Sequence, residues 1–148
     1  MQASKIAVRA IILHEGKILL VKHKGKKYFS LPGGKLEGGE DMKSGLEREL
    51  FEELGTKSVV GKLCFIHEFE YPSEDKIPNN NIEFFFLIKN GSDFLEMQEG
   101  SHAEAELDHI EWVDIESKYD AKPDFLRSEI IKCNQNTEYP MQYFSMDA

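Results

Sequence analysis

The sequence has little of what would commit a chain to a membrane, an oxidising compartment or a nucleic-acid backbone. It contains two cysteines, Cys64 and Cys133, far apart and without the histidine or cysteine spacing of a zinc site, so both are expected to be reduced packing residues. No apolar run approaches the roughly 20 residues that span a bilayer. Met1 to Lys5 leads straight into an alternating apolar stretch and lacks the basic region, apolar segment and cleavage site of a secretory signal, which implies a cytoplasmic location. Positive charge is also scarce: 18 Lys and Arg face 27 Asp and Glu, a formal net charge of −9. Non-specific nucleic-acid binding needs clustered cations on the phosphates, so nucleic acid is disfavoured as a partner. An acidic protein acting on phosphates instead needs a cation as intermediary. The Gly-Lys-Ser/Thr of a Walker loop is absent, as are repeats, low-complexity tracts and linkers.

What is present describes an ordinary globular domain. Its 148 residues, 41% hydrophobic and 30% charged, suffice for one sizeable core, so a single domain over residues 1–148 is expected. Ile6 to Leu13 is rich in β-branched residues, and the turn His14-Glu15-Gly16 leads to Lys17 to His23, which predicts a hairpin. Tyr28 to Leu31 reads as a short strand. Val59 to Tyr71 and Asn81 to Lys89 read as longer strands around a polar loop, and His109 to Asp114 as another. Within Asp41 to Leu54, Leu46, Leu50 and Leu54 recur every fourth residue before the stop signal Gly55, which predicts an amphipathic helix. Asp124 to Cys133, after Pro123, predicts a second helix, and the tail from Asn134 shows no pattern. Short strands with two helices predict an α/β fold of the α+β type, a sandwich built on a mixed sheet.

The informative segment runs from Gly34 to Thr56. At 100° per residue, Glu52 and Glu53 lie within about 60° of Glu49 around the helix axis, so three carboxylates share one patch. At an effective dielectric of 20, two carboxylates about 5 Å apart repel by roughly 3 kcal/mol. Hard, oxygen-seeking Mg²⁺ or Mn²⁺ removes that repulsion and bridges to substrate phosphates. Arg48 is one turn from Glu52 and can pair with it. Gly45 costs about 1 kcal/mol relative to alanine in a helix, and one turn before Glu49 it leaves room for a ligand on the acidic face. Gly33, Gly34, Gly38 and Gly39 let the loop backbone approach a charged ligand closely. A lone Glu-x-x-Glu would read as a solvated helix face. The wider pattern does not.

Gly34, Glu40, Arg48, Glu49, Leu50, Glu52, Glu53 and Gly55 match the Nudix box, G-x5-E-x7-R-E-U-x-E-E-x-G-U, where U is a bulky aliphatic residue. Seven fixed identities arise by chance about once in 10⁸ starting points at average residue usage. Thr56 stands where the pattern has its last aliphatic residue, which weakens packing after the helix and removes no ligand. With the neighbouring Leu31-Pro32-Gly33-Gly34 and the order of strands, the chain resembles the Nudix hydrolases. The resemblance implies an α/β/α sandwich whose box forms a loop-helix-loop. It implies Glu49, Glu52 and Glu53 as metal ligands and catalytic groups, a Gly33 carbonyl completing one metal sphere, and Glu40 and Arg48 supporting the arrangement, with Glu40 and Gly34 facing the substrate. It also implies attack of a metal-activated water on a phosphorus, with Glu52, Glu53 or an off-box Glu104 or Glu106 taking the proton.

Outside the box, Arg9 is a lone charge in an apolar strand and a candidate for contacting a phosphate or base edge. Tyr28, Phe29, Phe65, Phe69, Phe84 and Phe86 offer stacking faces, although strand aromatics more often fill cores. His14, His23, His67, His102 and His109 lack metal spacing and read as surface or packing residues. The expected activity is Mg²⁺-dependent hydrolysis of a nucleoside diphosphate linked to another group: a nucleotide sugar such as ADP-ribose, a nucleoside triphosphate or a dinucleoside polyphosphate. Pro72 resembles a feature of ADP-ribose pyrophosphatases, but a loop proline needs no functional reason. The alternatives are a silent nucleotide sensor, which has no use for the complete carboxylate set, and an RNA-end hydrolase, which the charge of −9 disfavours. A homodimer is compatible with the sequence.

Overall fold

A computed structural model describes residues 5–70, 79–96 and 106–145. The first apolar stretch divides between two sheets. Strand β1 (Lys5–Ile11) lies in a five-stranded sheet, while β2 (Leu13–His14) pairs antiparallel with β3 (Lys17–His23) in a three-stranded one. The predicted hairpin is therefore only its tip: Ile12 still accepts from Leu19 N at 3.0 Å, but β1 has turned away to pair antiparallel with β4 (Gly33–Lys35) and parallel with β6 (Asn80–Ile88). Strand β5 (Val60–Glu70) pairs antiparallel with β6, and β7 (Leu107–Asp114) pairs antiparallel with β3. The expectation of one mixed sheet becomes one mixed sheet and one antiparallel sheet.

Period-2 alternation sorts the strand residues between two cores. Val8, Ala10, Ile12, Leu19, Val21, Phe86 and Ile88 face one side, where helix α1 (Met42–Leu54) lays down Leu46, Leu50 and Leu54, all three wholly buried. Ile11, Ile18, Leu20, Phe65 and Phe85 face the other, covered by Leu126 and Ile130 of helix α2 (Leu126–Gln135). This is the expected α/β/α arrangement. Each α1 leucine contributes roughly 1.5–3 kcal/mol by leaving water. Asp41 caps the start of α1 by accepting from Ser44 N at 2.9 Å, and Gly55 ends it at φ +66°, donating to the Phe51 carbonyl. Thr56 Oγ1 donates to the Leu54 carbonyl at 3.2 Å, so it satisfies a helix-end acceptor where an aliphatic residue would only pack.

The remaining differences are local. Tyr28 to Leu31 forms isolated bridges at Phe29 and Ser30 rather than a strand. Helix α2 begins two residues later than its pattern suggested, because the Leu126 N–H is taken by the Pro123 carbonyl in the preceding turn. In the patternless tail, β8 (Gln142–Phe144) adds a parallel edge strand beside β5. Cys64 and Cys133 are free on the α2 side, and the Cys64 thiol donates to the Lys62 carbonyl at 3.8 Å. No helix among the described residues is long and apolar enough to cross a membrane.

The two faces of α1 make opposite demands on a substitution. Leu50→Ala should destabilise by about 2–5 kcal/mol, as a cavity-forming change does, whereas Phe51→Ala, at a position 55% exposed, should stay within about 0.5 kcal/mol. Urea denaturation of the two variants measures the contrast.

Candidate active site

Arg48 gathers the acidic side chains of the box. Its guanidinium lies 2.9 and 3.1 Å from the two Glu40 oxygens, 3.2 Å from Glu49, 3.2 Å from Glu52 and 3.5 Å from Glu37. Glu40 accepts in addition from Glu37 N at 2.8 Å. The Arg48 hydrogen bond and that amide hold the Glu40 carboxyl below the usual carboxylate range, and Glu40 in turn raises the Arg48 pKa. Glu40 thus clamps Arg48 and lines neither the cavity nor the acidic cluster described below.

The glycines make room mainly for this network. A Cβ on Gly45 would sit 2.5 Å from Leu36 Cδ1 and 2.9 Å from Glu40 Oε1, so the space serves those two side chains rather than a ligand. A Cβ on Gly34 would sit 2.6 Å from the Glu49 carboxylate. Gly33, at φ +143°, packs so closely on β1 that a Cβ would meet the Val8 carbonyl oxygen at 2.0 Å.

Glu49, Glu53 and Glu106 each bring one carboxylate oxygen within 4.8 Å of the others. Glu53 is 1% exposed, and its Oε2 has no hydrogen-bond partner among the described residues. Burial, then the neighbouring Glu49, push its pKa up to about 8. Burial also raises Glu49, aided by Glu52 and Glu106 and opposed by Arg48. An unpartnered buried carboxylate oxygen beside two more carboxylates is costly unless a proton or a cation neutralises it. The donor set suits a hard divalent cation, with Glu49, Glu53 and Glu106 as holders. Glu52 stands outside this trio, engaged by Arg48. Glu104 lies outside the described residues, as do Pro72 and His102.

A cavity of about 500 Å³ adjoins the cluster. Arg9, Tyr28 and Phe69 line it, as the sequence allowed, whereas Phe65 and Phe86 are buried in the cores and Phe84 packs on the α1 side. Two histidines assigned to packing also line it. His23 Nδ1 lies 3.0 Å from Ser30 Oγ and its Nε2 4.0 Å from Glu53 Oε1, which places it between cavity and cluster. Burial, Arg9 and Lys26 lower its pKa to about 4. His67 and Glu83 complete the wall beside Arg9. Neither histidine has spacing that marks it, but Glu83, a charge within Asn81-Ile-Glu-Phe-Phe-Phe-Leu, carries the same signal as Arg9.

The model of the NUDIX domain matches residues 3–130. The chain belongs to the Nudix family. It is 36% identical over 80 residues to an ADP-ribose pyrophosphatase of Methanocaldococcus jannaschii, a stretch covering 52% of this chain and 45% of that protein. It is 42% identical over 62 residues to an 8-oxo-dGTP diphosphatase of Haemophilus influenzae, covering 42% and 41% respectively. The matched stretches thus span less than half of these curated relatives. The solution structure of the Escherichia coli ORF135 protein superposes with a TM-score of 0.70 at 23% identity, covering 93% of this chain and 94% of that one, and supports the Nudix fold. Nudix enzymes generally use a divalent metal, which accords with the acidic cluster.

In a cation-free Nudix site, Glu53 should make stability depend on pH. With a pKa of 4.5 unfolded and about 8 folded, the native state holds more protons between those values, so stability should fall as pH rises through that window and then level off. Glu53→Gln should flatten the slope. Urea melts in EDTA from pH 5 to 9 test both expectations.

Proposed function

We propose that this Nudix protein hydrolyses a phosphoanhydride bond in a nucleoside diphosphate derivative with Mg²⁺, or Mn²⁺ in its place. The observation that carries this reading is the convergence of Glu49, Glu53 and Glu106 beside a cavity lined by cationic and aromatic side chains. When bound, a divalent cation neutralises these carboxylates and a substrate pyrophosphate and supplies Lewis acidity. The protein's own groups supply position. Arg48 holds Glu49 and Glu52 in register, and Glu106 reaches the cluster from outside the box as the off-box acid or base. Arg9, on the cavity wall, binds the substrate. The names of the relatives support ADP-ribose and oxidised nucleoside triphosphates as first candidates for substrate.

Turnover on a panel of nucleotide sugars, dinucleoside polyphosphates and nucleoside triphosphates should vanish in excess EDTA and return with Mg²⁺ or Mn²⁺. Glu53→Gln should lower it by orders of magnitude and shrink the rise in melting temperature that Mn²⁺ confers. Full turnover in EDTA would remove the metal reading. Arg9→Ala should raise KM more than it lowers kcat, because Arg9 holds substrate equally in ground and transition states; steady-state kinetics on the best substrate measure the split.

A further inference from the structure

The cavity wall carries an ion pair that the fold does not require. Arg9 Nε lies 3.0 Å from Glu83 Oε2, and Glu83 Oε1 lies 3.4 Å from His67 Nδ1. Along β1, β5 and β6 these three residues alternate with Val8, Ile66 and Phe84, so they share the strand faces of the buried Ile11, Phe65 and Phe85. Their side chains are 20%, 13% and 15% exposed for Arg9, Glu83 and His67. Desolvating such a pair costs about as much as its attraction returns, and apolar residues of similar volume generally serve a core at least as well. A pair retained on a cavity wall therefore has its use at the cavity.

The carboxylate organises two different recognition elements. Burial pushes the Glu83 pKa up, but the His67 hydrogen bond and the Arg9 charge hold it below the usual carboxylate range. It stays an anion, and its four lone-pair sites leave acceptor capacity beyond its two protein partners. On one side it fixes the Arg9 guanidinium. On the other it fixes His67, whose ring stacks on Phe69 at 5.1 Å and 19° and meets Phe125 edge-on at 5.0 Å and 85°. An aromatic platform thus stands next to a donor and an acceptor set side by side.

We propose that Arg9 and Glu83 read the pairing edge of a nucleobase held at the His67–Phe69 platform, the guanidinium donating to a ring nitrogen or keto oxygen and the carboxylate accepting from the adjacent N–H. This specifies the ligand class of the site proposed above and rests on that reading. Nucleobases place such an acceptor beside a donor on the edge of a flat ring that can also stack on the platform, which a ribose diol or a phosphate cannot do. A base methylated at that edge leaves a buried polar group unpaired and is rejected.

The test is calorimetric binding, which needs no turnover. Adenosine, cytidine, guanosine and uridine monophosphates are compared with their counterparts methylated at N1 of the purine or N3 of the pyrimidine, on wild type, Glu83→Gln and the double variant Arg9→Leu/Glu83→Leu. For the monophosphate that binds best, methylation should weaken wild-type binding about tenfold or more. Both variants should bind the unmethylated nucleotide correspondingly more weakly and lose the discrimination, while the double variant keeps or raises the melting temperature. Wild-type binding indifferent to methylation, or a Glu83→Gln protein that binds and discriminates like wild type, would overturn the assignment. So would a double variant that loses stability yet binds unchanged, which returns the pair to a structural role. Discrimination in binding by a protein that hydrolyses no nucleotide would sink the hydrolase reading alone, and hydrolysis of nucleotides without discrimination would sink this one alone.

Discussion

Everything at the candidate site depends on containing the mutual repulsion of carboxylates placed on one turn of α1. Glu49, Glu52 and Glu53 share that turn, and Glu40 and Glu106 arrive from outside it. Arg48 offsets part of the charge by engaging Glu40, Glu49 and Glu52 together, but Glu53 lies beyond its contacts and is nearly inaccessible to water. The guanidinium therefore stabilises the frame of the site and leaves its centre under-neutralised. A centre of that kind attracts protons or hard cations according to which is available, which makes the protein's stability and its chemistry two readouts of one electrostatic imbalance.

Much of this was legible because it depends on local spacing. The stripe Leu46, Leu50, Leu54, the stop at Gly55 and the carboxylate patch follow from helical geometry alone, and Arg48 meets Glu52 at the distance of one turn. Arg9 was visible as a charge in an apolar strand, and Glu106 as an acid ahead of a late strand. What escaped depends on pairing between distant segments. His23 and His67 become neighbours of the cavity through β3 and β5, and β8 becomes a strand only because the β5 edge offers it hydrogen bonds. Gly45 shows a subtler limit: its need for space was legible, but not that Leu36 and Glu40 claim it.

The alternation of β1 also explains how one short strand serves the packed core and the cavity wall at once. Val8 and Ala10 vanish into the α1 core, while Arg9, pointing the other way, reaches the cavity on the α2 side just before Ile11 closes the second core. The same device recurs in β6, where Phe84 and Phe86 face α1 and Glu83 faces Arg9 across the parallel pairing. Polar residues gain fixed positions because their sequence neighbours are locked in packing.

The parallel pairing of β1 with β6 has a further consequence in time. Strand β1 is the first element of the described chain, yet its long partner begins at Asn80, and the short antiparallel β4 offers it only three residues before then. Until β5 and β6 have followed in the chain, β1 has only β4 as a hydrogen-bonded strand partner. A sheet closed by such distant segments assembles late and as a whole, since the entropy of joining them is lost before any contact rewards it. The cavity wall, which joins Arg9 of β1 to His67 of β5 and Glu83 of β6, is thus complete only when segments distant in the chain have paired.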